Sequence, residues 1–371
     1  MFQNKSARFH LTCHIVAFAV IFALPVAGQE AASQIKAEIQ RLQQSLKDRP
    51  ISDPDFPDVN SMIEGELKAA AEALNAAWLY LSLEKLGGAA DLLHGARVVA
   101  DKKAETVKGG LPAYEAEWKK VSVSLNARDQ EARGIDWSHA PAAIRALSET
   151  AQGKSQPLLE GGRGFATSTQ PKDGLFYLGQ AQGEAEFAQF CTSLHLPRKA
   201  RPLPRRSLVP ELQGLQDKTN AAFVPPRSIE LHPRFIALNS TLKLAQELDA
   251  ARFYSGALYQ YLEAVRHYGM LDATAPDSTR QSALKDAVAG MRKKLDVSAS
   301  DDSIAQIFVE RAASQVAHAD GSAPGTDEWK SAQVIIDQVL PAYFNAQKPA
   351  SPLQRASGKT VDITLVRWPY T

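Results

Sequence analysis

The sequence predicts an all-α protein, built as helical hairpins or an α-solenoid-like array in two lobes and finished by a short C-terminal β-strand. Apolar residues recur at the three- and four-residue spacing of a helix through almost the whole chain. Proline and glycine clusters cut that pattern into helix-length pieces. Alternation with a period of two is confined to 121–125 and to the segment after Lys359.

The chain opens with Lys5, Arg8 and His10, an apolar run from Leu11 to Leu24, and then Pro25, Val26, Ala27 and Gly28. That order of basic start, apolar stretch and small residues is a secretory signal over 1–28, with cleavage expected before Gln29. Ile35, Ile39, Leu42 and Leu46 mark a first helix over 31–47. Pro50, Pro54 and Pro57, interleaved with Asp53, Asp55 and Asp58, make a turn-rich connector. A long helix over 59–86 is expected to bury Ile63, Leu67, Leu74, Trp78 and Leu81 and to end at Gly87 and Gly88. The next covers 89–107 and closes on Gly109 and Gly110, with Pro112 placed to open another. Tyr114, Trp118, Val121 and Leu125 give that one a helical stripe that begins before the alternating stretch at 121–125. Pro141 opens a short helix through Leu147, Gly153, Gly161, Gly162 and Gly164 read as a loop, and a helix over 174–194 completes a first lobe at 29–196.

Composition changes over 197–233. Pro197, Pro202, Pro204 and Pro210 alternate with Arg198, Lys199, Arg201, Arg205 and Arg206, and no acid occurs between Glu186 and Glu211. This is a basic, proline-rich connector carrying a short helix over 211–222 and a second proline cluster at Pro225, Pro226 and Pro233. A second lobe over 234–347 reads as helices at 235–248, 252–268, 278–295, 303–318 and 327–346, with Asp277 and Asp302 as N-caps. The tail at 348–371 is expected to be a flexible tether ending in a strand, where Val361, Ile363 and Leu365 alternate with Thr360, Asp362 and Thr364 before Trp368 and Tyr370.

Charge and cysteine content exclude several classes. Removing 1–28 takes away two basic residues, leaving 40 Lys and Arg against 41 Asp and Glu, so the mature chain carries −1 and is no polybasic nucleic-acid binder. Of the two cysteines only Cys191 would remain, so no internal disulfide can form and the fold must stand on packing. No later segment has the 18 or so uninterrupted apolar residues that a membrane span needs.

No catalytic motif, metal-ligand spacing or cofactor fingerprint is present, and no catalytic residue, metal or cofactor is assigned. Cys191 and His195 stand four apart with Glu184 nearby, but the cysteine continues the apolar seam of Phe187, Phe190 and Leu194 and reads as a buried hydrophobe. Gly161, Gly162, Arg163 and Gly164 lack the Lys-Ser/Thr ending and the preceding strand of a phosphate loop.

Between Leu238 and Leu271, Leu244, Ala245 and Leu248 followed by Tyr254, Ala257, Tyr261 and Ala264 give the alternation of large and small residues of two closely approaching antiparallel helices. The segment resembles one tetratricopeptide unit, with Arg252 in place of the turn glycine and Gly269 in place of the closing proline. The resemblance covers 34 of 371 residues. It implies groove-facing positions at Asn239, Leu242, Gln246 and Asp249.

These readings point to an exported, periplasmic or extracellular, non-catalytic scaffold or binding protein that holds a protein or peptide of the cell envelope. Three surfaces are candidates: the groove positions just named, Arg201, Arg205 and Arg206 for contact with an anionic surface, and Ile363, Leu365 and Trp368 for strand addition to a partner. The alternative is an all-helical hydrolase of wall polymer using a carboxylate acid, which would require converging carboxylates in one cleft.

Overall fold

A computed structural model describes residues 26–196, 199, 201, 206–223, 231–319 and 327–348. Among them the chain is all-α, its one non-helical pairing being a parallel bridge between Arg201 and Ser300. The expected signal up to Pro25, Arg205, and the tail with Ile363, Leu365 and Trp368 lie outside the described residues. No described helix is long and apolar enough to cross a membrane.

Helices α1 (Val26–Asp48), α2 (Val59–Asn75), α3 (Leu79–Arg133), α4 (Ala142–Ser168) and α5 (Leu175–Ser193) form the first half. The second half holds α6 (Val209–Ala222), α7 (His232–Ala250), α8 (Tyr254–Gly269), α9 (Ser278–Val297), α10 (Ser303–Ala319), and α11 (Asp327–Val334) running through a wide π turn into α12 (Leu340–Ala346). The π turn ends at Val339, two residues before Pro341, which has no amide to continue a regular ladder. One apolar core runs from Ile35 to Ala346 through both halves, so the basic connector divides the sequence without dividing the core.

Three expected boundaries move, each for a visible reason. The helix expected over 59–86 breaks at 76–78, where Ala77 takes a left-handed φ of 57°, and α3 then continues straight through Gly87 and Gly88. Those glycines do not cap a helix. A Cβ on Gly87 would stand 2.8 Å from the Phe187 ring, so the glycine admits that ring against α3. The segment with Gly153, Gly161, Gly162 and Gly164 is helical throughout α4, because apolar positions such as Leu147, Leu159 and Ala166 keep one face buried. Asp277 caps α9 by accepting from the Arg280 amide at 2.8 Å, whereas Asp302 spends its carboxylate on Tyr343 Oη and Ser298 Oγ.

At Gly110, with φ 63°, α3 reverses, as the glycine pair and Pro112 foretell. The distal arm, 111–133, runs back along the proximal one. Lys102 reaches Glu117 across the bend at 3.6 Å, and further along Glu186 of α5 meets both His94 at 3.1 Å and Arg128 at 3.9 Å.

The two halves repeat one plan. In the α2–α3 turn the amides of Ala76, Ala77 and Trp78 donate to Glu72, Leu74 and Ala73; in the α7–α8 turn those of Ala251, Arg252 and Phe253 donate to Glu247, Asp249 and Leu248. The spacings are identical, and Arg252 matches Ala77 with φ 64°. At the same offset Ile63, Leu67, Ala70 and Ala73 match Leu238, Leu242, Ala245 and Leu248, all buried. Helix α6 lies on α7 and α8 as α1 lies on α2 and α3. In chain order α9 takes the place of the distal arm of α3, packing on α10 and α11 as that arm packs on α4 and α5.

Reciprocal caps join the halves. Glu149 of α4 accepts from the Gly256 amide at 2.8 Å in the first turn of α8, while Glu310 of α10 accepts from the Leu81 amide at 2.9 Å in the first turn of α3. Gly256 and Leu81 occupy equivalent positions. Each glutamate is steadied from four residues earlier, by Arg145 and Gln306 respectively. This mutual exchange is the contact pattern of a two-fold arrangement. Each cap quiets amides that the helix itself cannot satisfy.

Replacing Glu310 with alanine should therefore cost about 2 kcal/mol, and Glu310→Gln much less, because the amide oxygen still accepts. Burial pushes the Glu310 carboxyl up to about 8, against the two amides that favour its charge. The folded protein holds that proton more tightly than the unfolded chain, so stability falls as pH rises from the ordinary 4.5 towards about 8. Urea unfolding across that range should show the slope in the wild type and a flatter one in Glu310→Gln.

Candidate binding cavity

The distal arm of α3 ends over the α7–α8 turn and, with α4 and α5, borders an open cavity of about 570 Å³. Its apolar floor is formed by Leu125, Ile135, Ala188, Leu248 and Phe253. Four amide side chains, Asn126, Gln152, Gln156 and Gln189, stand around it. Each amide offers both a donor and an acceptor, the pair of functions that a peptide backbone presents.

Backbone chemistry shapes the α4 wall. A Cβ on Gly153 would lie 2.5 Å from Leu248 Cδ2, so only glycine lets α4 come this close to the end of α7. Pro157, one turn later, has no amide to give to the Gly153 carbonyl. Both residues line the cavity. Charge is kept to the arm and the turn, as Arg128, Asp129, Glu131 and Glu247.

The groove positions implied by the repeat resemblance do not converge. Asn239 and Gln246 are exposed, and the Asn239 amide donates to Phe235 O of its own helix at 2.9 Å. Leu242 is fully buried in the core. Asp249 is buried and caps α6, accepting from Ser207 Oγ at 2.6 Å and the Leu208 amide at 2.7 Å. It is the turn following those positions, through Glu247, Leu248, Ala251 and Phe253, that reaches the cavity. In the connector, Arg206 pairs with Glu211 and holds Ser207 O at 3.0 Å, while Arg201 is exposed beside its bridge to Ser300.

Cys191 is fully buried, and burial pushes its thiol far above the ordinary range. Helix α5 ends at Ser193, so exposed His195 does not continue the helical face of Cys191. The pair forms no nucleophile and base, and the cysteine packs as a small hydrophobe. Among the described residues no three ligating side chains are placed to hold a metal ion.

The cavity residues were missed from sequence because they come from four separated segments. The arm that closes the cavity looked like one more amphipathic helix. No family model, curated protein or solved structure matches this chain.

Proposed function

We propose that the chain is an exported, non-catalytic binding protein that holds a peptide segment of a cell-envelope partner in the cavity beneath the distal arm of α3. The observation that carries this is an apolar floor bordered by four amide side chains, of which Asn126, Gln156 and Gln189 are exposed at its mouth. Such a lining takes one apolar side chain while pairing the flanking backbone, and it asks for no particular charge. Export rests on the sequence of the first 28 residues.

Carboxylates converge in a second, smaller cavity, each with at least one oxygen held by a neighbouring side chain. Glu66 meets Lys85 at 3.2 Å, Glu84 meets Arg311 at 2.5 Å, Glu184 meets Lys154 at 2.8 Å and Asp91 accepts from Gln180 at 2.8 Å.

Short capped peptides with a central leucine or phenylalanine should bind with micromolar affinity by calorimetry. Peptides with aspartate at the centre should not. Gln189→Trp, at an exposed lining position, should obstruct the cavity and weaken binding at least tenfold while leaving the helical circular dichroism unchanged. Equal binding by the obstructed variant would exclude this cavity.

A further inference from the structure

A third cavity, of about 320 Å³, lies on the neighbouring face of α5, between that helix, α1 and α3. Helical spacing makes the two faces of α5 adjacent. Ala185, Ala188 and Thr192 form one stripe, which lines the peptide cavity, and Glu186, Phe190 and Ser193 form the next, which lines the third cavity. The ridge between the stripes carries Gln189, and Arg128 reaches it from the distal arm of α3. Both of these residues line both cavities, so the two spaces share a border.

Arg128 brings unpaired donors to that border. A guanidinium carries five N–H groups in a fixed fork. Among the described residues the partner of Arg128 is Glu186, at 3.9 Å, which is too long for a hydrogen bond. The other oxygen of Glu186 already meets His94, at 3.1 Å. The second charged pair of the third cavity closes on itself, with Arg41 and Glu38 2.6 Å apart. The Arg128 side chain is 34 % exposed, so a ligand at the border can reach its donors.

The acids of the peptide cavity stand towards its far end. Glu247 belongs to the α7–α8 turn and meets Lys243 at 3.7 Å, Glu131 is almost a helical turn nearer to that end than Arg128, and Asp129 points about 100° further round the arm. A planar guanidinium with free donors beside an apolar floor fits a carboxylate, which takes two N–H groups side by side. Arg128 is also one helical turn from Leu125 of that floor. Groups at this spacing are about 5–6 Å apart, the span from an apolar side chain to a carboxylate one or two residues along an extended peptide.

We propose that the peptide held over the apolar floor carries a carboxylate one or two residues from its apolar anchor, seated on Arg128 with the Gln189 amide as a further donor. This rests on the peptide reading of the first cavity and narrows its ligands to acidic segments. The carboxylate belongs either to an acidic side chain, with the rest of the peptide passing over the ridge into the third cavity, or to the end of the peptide, which then stops at the border.

The test uses the mature chain and short alanine peptides with one central leucine, capped at both ends. One is neutral, with asparagine two places before and two places after the leucine; two others carry aspartate at one of those places; a fourth has a free terminal carboxylate instead of the cap. By calorimetry at least one acidic form should bind about tenfold tighter than the neutral one, and high salt should shrink the difference. A preference for aspartate assigns a side chain, and a preference for the free acid alone assigns a peptide end. Arg128→Gln should bring acidic and neutral forms to equal affinity, and Arg128→Lys, which keeps the charge without the fork, should restore part of the preference, both with wild-type circular dichroism. Equal affinity of acidic and neutral forms for the wild type, or a preference that survives Arg128→Gln, would overturn this assignment and leave the peptide reading standing. Absence of binding by every form would overturn both.

Discussion

Replacing Arg311 with alanine should lower the unfolding free energy by about 3–5 kcal/mol, because it takes the partner from the Glu84 carboxylate and leaves buried Glu263 with Arg266 alone. Arg311, on α10 in the second half, pairs with Glu84 of α3 at 2.5 Å and with Glu263 of α8, and stands 3.4 Å from Tyr259 Oη. Its side chain is 12 % exposed and that of Glu263 10 %, so water can do little to compensate. Burial alone would raise the Glu263 carboxyl, but Arg311 and Arg266 overcome it and hold the group at about 2. This depressed carboxylate contributes stability above its ordinary 4.5, and the contribution is lost as pH falls towards about 2. Arg311→Ala should therefore unfold at markedly higher pH on acid titration. Adding Glu263→Gln to Arg311→Ala should recover part of the loss, since one of the two carboxylates that Arg311 served is then neutral. Urea titrations of the three variants at pH 7 check the cycle.

Two helical glycines should respond to alanine with opposite signs. Helix α5 crosses α3 so closely that a Cβ on Gly179 would lie 2.3 Å from His94 O and 2.7 Å from Gly95 Cα. Both neighbours are backbone, so the helices themselves must separate. Gly183 continues the contact one turn later, with Ala90 O 3.0 Å from its absent Cβ. Gly179→Ala should cost about 2–3 kcal/mol after its gain in helix propensity is counted. Gly161 of α4 has nothing within 4 Å of the same position. Gly161→Ala should stabilise by up to about 1 kcal/mol through propensity alone. Melting temperatures of the two variants, measured together, check the sign at each site.

Element existence was readable wherever an apolar stripe was long. The second half shows this best: α9 and α10 occupy almost the segments that Leu284, Val288 and Leu295 or Ile304, Ile307 and Phe308 mark out. Glycine was the misleading signal. At Gly110 it ends a helix because the backbone takes a positive φ, but at Gly87 and Gly179 it sits inside helices because another element needs the space. A single sequence does not separate these two uses. The tight turn before α3 was hidden for the opposite reason, since Ala77 accepts a left-handed conformation that normally selects glycine.

The repeat was half legible. Leu74-Asn75-Ala76-Ala77 and Leu248-Asp249-Ala250-Ala251 look alike, yet the structural equivalence is shifted by one residue, pairing Ala73 with Leu248 and Ala77 with Arg252. The buried pattern at Leu238, Leu242, Ala245 and Leu248 matches Ile63, Leu67, Ala70 and Ala73 in the correct register. None of the cavities was legible. Each is assembled from side chains more than 100 positions apart, and Glu149 and Glu310 gave no hint that each caps a helix in the other half.

The most direct test of the binding reading is methyl-labelled NMR of the mature protein titrated with a mixture of short capped peptides carrying central apolar residues. The account predicts saturable shifts at Leu125, Ile135 and Leu248 around the cavity, with Ile63 and Leu238 of the packed core unmoved. Shifts confined to exposed Val107, Val123 or Ile236, or no saturable shift at all, would contradict it.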